Sequence, residues 1–378
     1  MKRKHTAAIA IIGAGIVGLA HAYMALRKGY TVVLFDRDEY AIGASVRNFG
    51  LIWPVGQLPG VGLNRAMRSR QHWLTISKEA GIWLTTNGSM HLAYTNDELS
   101  VLEEFLHLHN EAGYSVRLLT PAEVIAMAPL VNKSGLKGGM FSNTECTVYS
   151  RQVIRRIPLW LREKYGLILR FGKQVKDIAF PEVFTDEECW RVDHVLICSG
   201  TDFQTLYPQL FDKQHITKCK LQMMRAEFIH QTKALGPSLC SGLTLRHYPA
   251  FSQCPSLSLL DARYDRENSD FKKYGIHVLV AQNAEGELII GDSHEYATTH
   301  DPFDSEHINK LIWDYLSRFV HTDNLRVTER WHGIYPKLLN GALDMVVKPE
   351  AGVTVINGLG GAGMTLSFGL AEEVVDKL

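Results

Sequence analysis

Four short features follow one another near the start of the chain and constrain its fold more than any other part. The apolar run Ala8–Ile12 leads into Gly13-Ala14-Gly15-Ile16-Val17-Gly18; Leu19–Lys28 follows, ended by Gly29; Thr31–Phe35 is a second apolar run, closed by Asp36. The pattern predicts strand, tight turn, helix and parallel strand. Asp36 falls 23 positions after Gly13, near the spacing of about 20 seen in dinucleotide-binding turns. The glycines serve different ends. Gly13 allows the turn, Gly15 lets backbone approach a pyrophosphate, and Gly18 lets the helix pack on the strand. The helix N-terminus offers free N–H groups and a positive dipole to phosphate. Asp36, with Arg37 beside it, accepts hydrogen bonds from ribose hydroxyls and repels a 2′-phosphate. The same segment, a basic MKRKH before an apolar run, also has the form of a secretory leader, but a leader requires neither the glycine spacing nor Asp36.

A chain of 378 residues suggests two domains. Lys plus Arg and Asp plus Glu are both 40, so no net field attracts nucleic acid or an anionic membrane. No run approaches the roughly 20 apolar residues of a membrane span. Six scattered Cys without paired spacing suggest a reduced, cytoplasmic setting. The 16 His show no ligand spacing, so no metal is expected.

Which dinucleotide binds is read from the rest of the chain. A second small-residue loop, Gly43-Ala44-Ser45-Val46-Arg47-Asn48-Phe49-Gly50, precedes Leu51. Val192–Ser199 is a buried-strand run ending in Gly200, and Val353–Ile356 leads into Asn357-Gly358-Leu359-Gly360-Gly361-Ala362-Gly363 and a predicted helix Met364–Lys377. Three glycine-bounded strand ends at one sheet edge suit a long ligand such as FAD. Val175, Met364 and Thr365 complete the expected cofactor contacts.

These segments, with VLICSGTD (195–202) and NGLGGAGMT (357–365), make the whole chain resemble the FAD-dependent D-amino-acid oxidase superfamily, in its glycine and sarcosine oxidase branch. Sarcosine-oxidising members attach flavin through a Cys in the C-terminal part; no Cys follows Cys254 here, so the resemblance implies non-covalent FAD. The resemblance implies an α/β (α+β overall) fold: a discontinuous Rossmann-like FAD domain (1–85, 145–215 and 325–378) and a mainly antiparallel substrate domain (86–144 and 216–324). Local patterns agree: strands at Gly88–Tyr94 and Lys218–Ile229, a hairpin from His277–Gln282 to Glu287–Ile290, and helices at Asp97–Ala112 and Ser305–His321.

In amino-acid-oxidising members a segment W-x-G-apolar-Arg-Pro brings an Arg to the substrate carboxylate. Here that frame is Trp331-His332-Gly333-Ile334-Tyr335-Pro336, with Tyr335 in place of the Arg. The Lys that sarcosine-oxidising members carry in the C-terminal loop corresponds to Thr365, and the Lys that promotes their reaction with oxygen corresponds to Ile289. A phenol cannot replace a bidentate guanidinium. The motifs GDSHEY (291–296), RWHGIYPK (330–337) and GMTLSFGLAEE (363–373) are similar to those of FAD oxidoreductases associated with phosphonate breakdown. That resemblance implies oxidation of 2-aminoethylphosphonate, or its N-methyl form, to an imine that hydrolyses to phosphonoacetaldehyde and an amine. Hydride would pass to flavin N5, and O2 or another acceptor would then be reduced. A phosphonate needs cations and donors; the candidates are Arg47, Arg246, His247, Tyr248, His294, His332, Tyr335 and Lys337. The Gly361-Ala362-Gly363 backbone is the expected device for charge on the reduced flavin. A glycine or sarcosine-type amine oxidase, and an FAD-binding module without turnover, remain open alternatives.

Overall fold

A computed structural model describes residues 2–378. The glycine-rich start folds as its pattern requires: strand Ile9–Ile12, helix Ile16–Arg27 and strand Val32–Phe35. These open a six-stranded sheet. Ile168–Arg170, Val32–Phe35, Ile9–Ile12, His194–Ile197 and Val353–Asn357 run parallel in that order, and Met345–Glu350 adds an antiparallel edge. Both faces are covered, which explains the unbroken apolar runs. Ile9, Ile11, Val32 and Leu34 pack on one side with the helices; Ala10, Val33 and Phe35 pack on the other with Trp190 and Val355. Each such fully buried branched side chain contributes about 1.5–3 kcal/mol.

Arg3–Thr6, a polar stretch with no strand signal, pairs in parallel with Glu188–Arg191 at the edge of a separate four-stranded sheet. Leu51–Ile52, Cys146–Val148 and Leu84–Thr85 make a small three-stranded sheet. A nine-stranded, mainly antiparallel sheet carries the expected strands as Ser89–Ala93 and Ile216–Phe228 and the hairpin as Leu279–Gln282 with Leu288–Gly291. The two helices form at Asn96–His109 and Glu306–Phe319.

One boundary needs correction. Leu325–Leu338, expected within the FAD domain, is a strand of the large sheet that pairs antiparallel with Ile216–Phe228 along its whole length. The chain returns to the six-stranded sheet only after Leu338. The strand's mixed polarity conceals this, because its two faces meet different surroundings. No described helix is long and apolar enough to cross a membrane. All six Cys are free and buried.

Gly18 tests the helix–strand approach. A Cβ there would lie 1.9 Å from the carbonyl oxygen of Gly13, and backbone on both sides leaves little room to yield. Gly18→Ala is expected to cost about 1–3 kcal/mol, read as a lower midpoint in chemical denaturation. An unchanged midpoint would mean that the turn relaxes freely.

Candidate active site

The glycine-bounded strand ends converge on a cleft of about 390 Å³. The first turn, the Gly43–Arg47 loop, the Ser199–Gly200 turn and the C-terminal loop Asn357–Gly360 all line it, together with Val175 and Tyr335. Gly13 has φ +107°, and a Cβ there would lie 2.3 Å from the carbonyl oxygen of Cys198, so only glycine turns the chain here. At Gly15 a Cβ would meet only Ser45 Oγ, at 3.1 Å, and at Gly200 it would meet nothing within 4 Å. Backbone is thus left bare along the cleft, as the pyrophosphate of FAD requires.

Side chains brace this backbone. Asp36 Oδ2 accepts from the Ala14 N–H at 2.8 Å and Oδ1 from the Asp38 N–H at 3.0 Å. A carboxylate has about four acceptor sites, so Asp36 can serve ribose hydroxyls as well. Ser45 Oγ accepts from the Ile16 N–H at 2.9 Å and pins the second loop to the helix N-terminus. Asn357 donates to the Gly200 carbonyl at 2.9 Å and accepts from the Gly358 N–H at 2.8 Å, tying two strand ends together. Arg37 pairs with Asp202 at 3.1 Å. Asn357, Cys198, Lys173 and Asp202 also line the cleft without being among the expected contacts; all but Lys173 lie within VLICSGTD or NGLGGAGMT.

Several expected cofactor contacts support the cleft from behind. Asn48 holds its own loop, donating to the Ala44 and Ser45 carbonyls and accepting from the Gly50 N–H. Gly50 backs onto Val148, and Leu51 pairs with Thr147. Met364 is buried, with its carbonyl accepting from Trp73 Nε1 at 2.8 Å. Thr365, also buried, accepts from the Trp53 N–H at 2.9 Å. Gly361 and Ala362 form the turn into helix Gly363–Val375. Gly333 lets the Arg47 backbone close on the strand, where a Cβ would lie 3.2 Å from the Arg47 oxygen. Trp331 Nε1 donates to the Arg47 carbonyl, and the Arg47 guanidinium to that of His332, both at 3.3 Å.

The long strand pair sorts the substrate candidates by parity. Cys219, Leu221 and Met223 share one face with Trp331 and Tyr335, and Ile289 joins them in an apolar cluster beside Phe49. Tyr335 is buried, and a Cβ on Gly361 would lie 3.5 Å from its hydroxyl. Burial, then Cys219 and Asp292, push its pKa well above the usual phenol value, so it remains a neutral donor. Lys337 continues this face and bridges to Leu359 of the C-terminal loop. It makes no ion pair among the described residues. His332 is one step out of phase: its Nδ1 meets Asp304 at 2.9 Å, and Asp304 also holds Lys220 on the opposite face. Arg246 is directed away too. It pairs with Asp261 at 2.7 Å and Asp265 at 3.6 Å on helix Leu257–Glu267. Strand alternation exposes the His332 placement in principle; the Arg246 acids lie on another helix and give no local signal.

His247, Tyr248 and His294 gather beyond Tyr335, whose ring centre is 6.5 Å from that of His294. His277, not singled out by sequence, joins them.

Replacing Asp36 with Ala is expected to weaken FAD binding by roughly 1–3 kcal/mol; Asp36→Asn, which keeps one acceptor, should lose less. Flavin release on dilution, followed by fluorescence, measures both. Equal retention by wild type and Asp36→Ala would show that the ribose is held elsewhere.

Comparisons with known proteins agree with this geometry. Residues 8–377 match the family model for DAO, the FAD dependent oxidoreductases. Glycine oxidase of Geobacillus kaustophilus (strain HTA426) is 26% identical over 147 residues, 36% of this chain and 38% of that protein. The mitochondrial pyruvate dehydrogenase phosphatase regulatory subunit of Mus musculus is 30% identical over 151 residues, 39% of this chain and 17% of that protein. Human (Homo sapiens) mitochondrial sarcosine dehydrogenase is 25% identical over 144 residues, 36% and 15% respectively. These matches span well under half of each curated relative. Among solved structures, glycine oxidase from Geobacillus kaustophilus superposes with a TM-score of 0.79 at 18% identity, over 99% of this chain and 94% of that one. L-proline dehydrogenase from P. horikoshii does so with 0.79 at 19%, over 100% and 93%. With the family match running from residue 8 to residue 377, the chain belongs to the FAD dependent oxidoreductases of the DAO family.

Proposed function

We propose that this protein oxidises the C–N bond of a small aminophosphonate, 2-aminoethylphosphonate or its N-methyl form, to an imine that hydrolyses to phosphonoacetaldehyde and an amine. The observation that carries the reading is the face formed by Tyr335 and Lys337. Where an Arg would grip a carboxylate stands a neutral phenol, and the cation comes two residues later on the same face, unpaired and over the C-terminal loop. A point cation, a phenol and the Arg47 guanidinium suit a tetrahedral anion with three oxygens better than a planar, bidentate one.

FAD, when bound, supplies the two-electron oxidation at the amine-bearing carbon. The rest falls to the chain. The first-turn N–H groups of helix Gly363–Val375 and its dipole offer stabilisation to negative charge developing at the cofactor. Tyr335 donates without titrating near neutral pH. The cluster of Met223, Ile289, Leu221 and Trp331 keeps one wall apolar and limits water. Lys337 and Arg47 raise the local positive potential, which disfavours the ammonium form of the substrate and favours the free amine. Ile289 lies within that apolar wall, so no cation stands there to promote reaction with oxygen; O2 yielding H2O2, or another acceptor, completes the cycle.

A second reading, a glycine or sarcosine-type oxidase, is favoured by the names of two curated relatives, with Arg47 as its carboxylate anchor. The third, an FAD-binding module without turnover, has one matched relative named as a regulatory subunit. A panel of 2-aminoethylphosphonate, its N-methyl form, glycine and sarcosine separates them, scored by anaerobic bleaching of the flavin and by peroxide. Bleaching by the phosphonates is expected; bleaching only by the amino acids, or by none, would reject the reading.

Tyr335→Phe removes one donor and keeps the ring. It is expected to lower kcat/KM for the aminophosphonate about tenfold, since a hydrogen bond to a charged group is worth roughly 1.5–3 kcal/mol. Tyr335→Arg should move the ratio of glycine to aminophosphonate activity upward. Both unchanged would make Tyr335 a packing residue. Lys337→Met should raise KM by about tenfold or more on the same grounds, with FAD content unchanged. An unaltered KM would assign the anion to Arg47.

A further inference from the structure

Three imidazoles form a triangle beyond Tyr335, the rings of His247 and His294 lying 4.6 Å apart and tilted by 33°. The rings of His247 and His277 are stacked, with centroids 3.8 Å apart and planes within 13° of parallel; those of His277 and His294 are 5.0 Å apart at 21°. Two of the three have close polar neighbours, although Asp292 Oδ1 forms no hydrogen bond. His277 Nε2 lies 2.9 Å from Asp292 Oδ1, and His294 Nδ1 lies 3.0 Å from the Gly275 carbonyl. This leaves His277 Nδ1 buried without a partner. His277 and His294 are 3% and 5% exposed. His247 is crowded by protein yet exposed, so it can be reached from solvent.

Nitrogen atoms of all three rings lie within 4.8 Å of one another, which invites a metal reading. Ring geometry argues against it. An ion about 2.0–2.1 Å from each nitrogen should lie near the plane of each ring, and stacked, nearly parallel planes cannot share such a point. The stacked pair His247 and His277 instead presents its ring edges side by side, with His294 closing the triangle as a third donor. The groups around the triangle are Asp292, Lys337, Tyr335, Tyr248, Tyr296 and Cys219. The three tyrosines and the thiol all have raised pKa values and stay neutral. Asp292 supplies one negative charge, which favours a charged His294, and Lys337 one positive charge, which opposes it.

We propose that His247, His277 and His294, with Lys337, form an anion subsite that takes up a proton when it binds the substrate's anionic group. It rests on the aminophosphonate reading for the identity of that group, a phosphonate, and not for the uptake. In the free protein the pKa values of His247 and His294 are lowered, first by burial; neighbouring imidazoles and Lys337 lower both further, while Asp292 and the Gly275 carbonyl oppose the shift at His294. A bound dianion reverses the sign of the local field and raises both pKa values. Binding is therefore tighter at lower pH and weakens as pH rises through the raised value.

The test is calorimetric titration of FAD-loaded protein with ethylphosphonate, which has no amine to oxidise. It is run in buffers of different ionisation enthalpy at a pH above the second ionisation of an alkylphosphonate, which is higher than the value of about 6 for phosphate esters. The expected result is net proton uptake on binding. His247→Asn and His277→Asn, checked for unchanged FAD content, should each weaken binding about tenfold or more and reduce the uptake. Binding without uptake, or uptake and affinity unchanged in both variants, would overturn the subsite. Propionate serves as the second ligand. If it binds through the same histidines with the same uptake and as tightly, the subsite stands and the phosphonate reading falls. If ethylphosphonate binds selectively but both variants leave it unaffected, the phosphonate reading stands and the subsite falls.

Discussion

The antiparallel pairing of Ile216–Phe228 with Leu325–Leu338 is the contact on which the site depends. Its thirteen residue pairs fix which side chains face the cofactor loop and which face helix Glu306–Phe319. A slip of one residue would exchange Tyr335 and Lys337 for Ile334 and Pro336. The register is held from both faces. On one, Cys219, Leu221, Met223 and Tyr335 are packed together. On the other, the buried Lys220 ammonium contacts the Asp301 carbonyl at 2.9 Å and the Asp304 carboxylate at 3.0 Å, and Gln222 bonds Asn309 at 2.8 Å. A buried cation deprived of such partners costs several kcal/mol, so this face resists a slip as strongly as the apolar one.

The electrostatic plan follows from that register. Most cations near the sheet are matched: Arg225 lies 3.0 Å from both Glu287 and Glu329, Arg151 pairs with Glu329, and Arg246 is taken by two aspartates. Lys337 is left unmatched beside the C-terminal loop, and the His triangle contributes positive charge only on demand. Unmatched charge next to a helix N-terminus is unfavourable by itself, which makes this the part of the molecule where an anionic ligand gains most.

The sequence revealed the cofactor half of the molecule more clearly than the substrate half. Gly13, Gly15, Gly18 and Asp36 act through local backbone geometry, and local geometry is written in short motifs. The hairpin near residues 279–291 and the two long helices were legible from period and punctuation for the same reason. Arg3–Thr6 was not, because its strand character comes from a partner nearly two hundred positions away. The assignment of 325–338 failed for a related reason: a strand whose faces meet different neighbours carries no clean alternation. His277 reads as an ordinary strand-start residue; only the fold brings it together with His247 and His294. Thr365 and Arg246 look chemically apt in isolation, and tertiary partners claim both.

The bridge between Lys337 and Leu359 has a mechanical meaning. It joins the end of the longest strand of the large sheet to the loop that opens the last helix, and the Arg47 loop is hydrogen-bonded to the same strand from the other side. The two sheets are thus stitched at the reacting centre itself. A hinge between them would have to break this backbone bridge and the side-chain hydrogen bonds to the Arg47 loop. The spacing between the C-terminal loop and the face that carries Tyr335 and Lys337 is thereby held fixed.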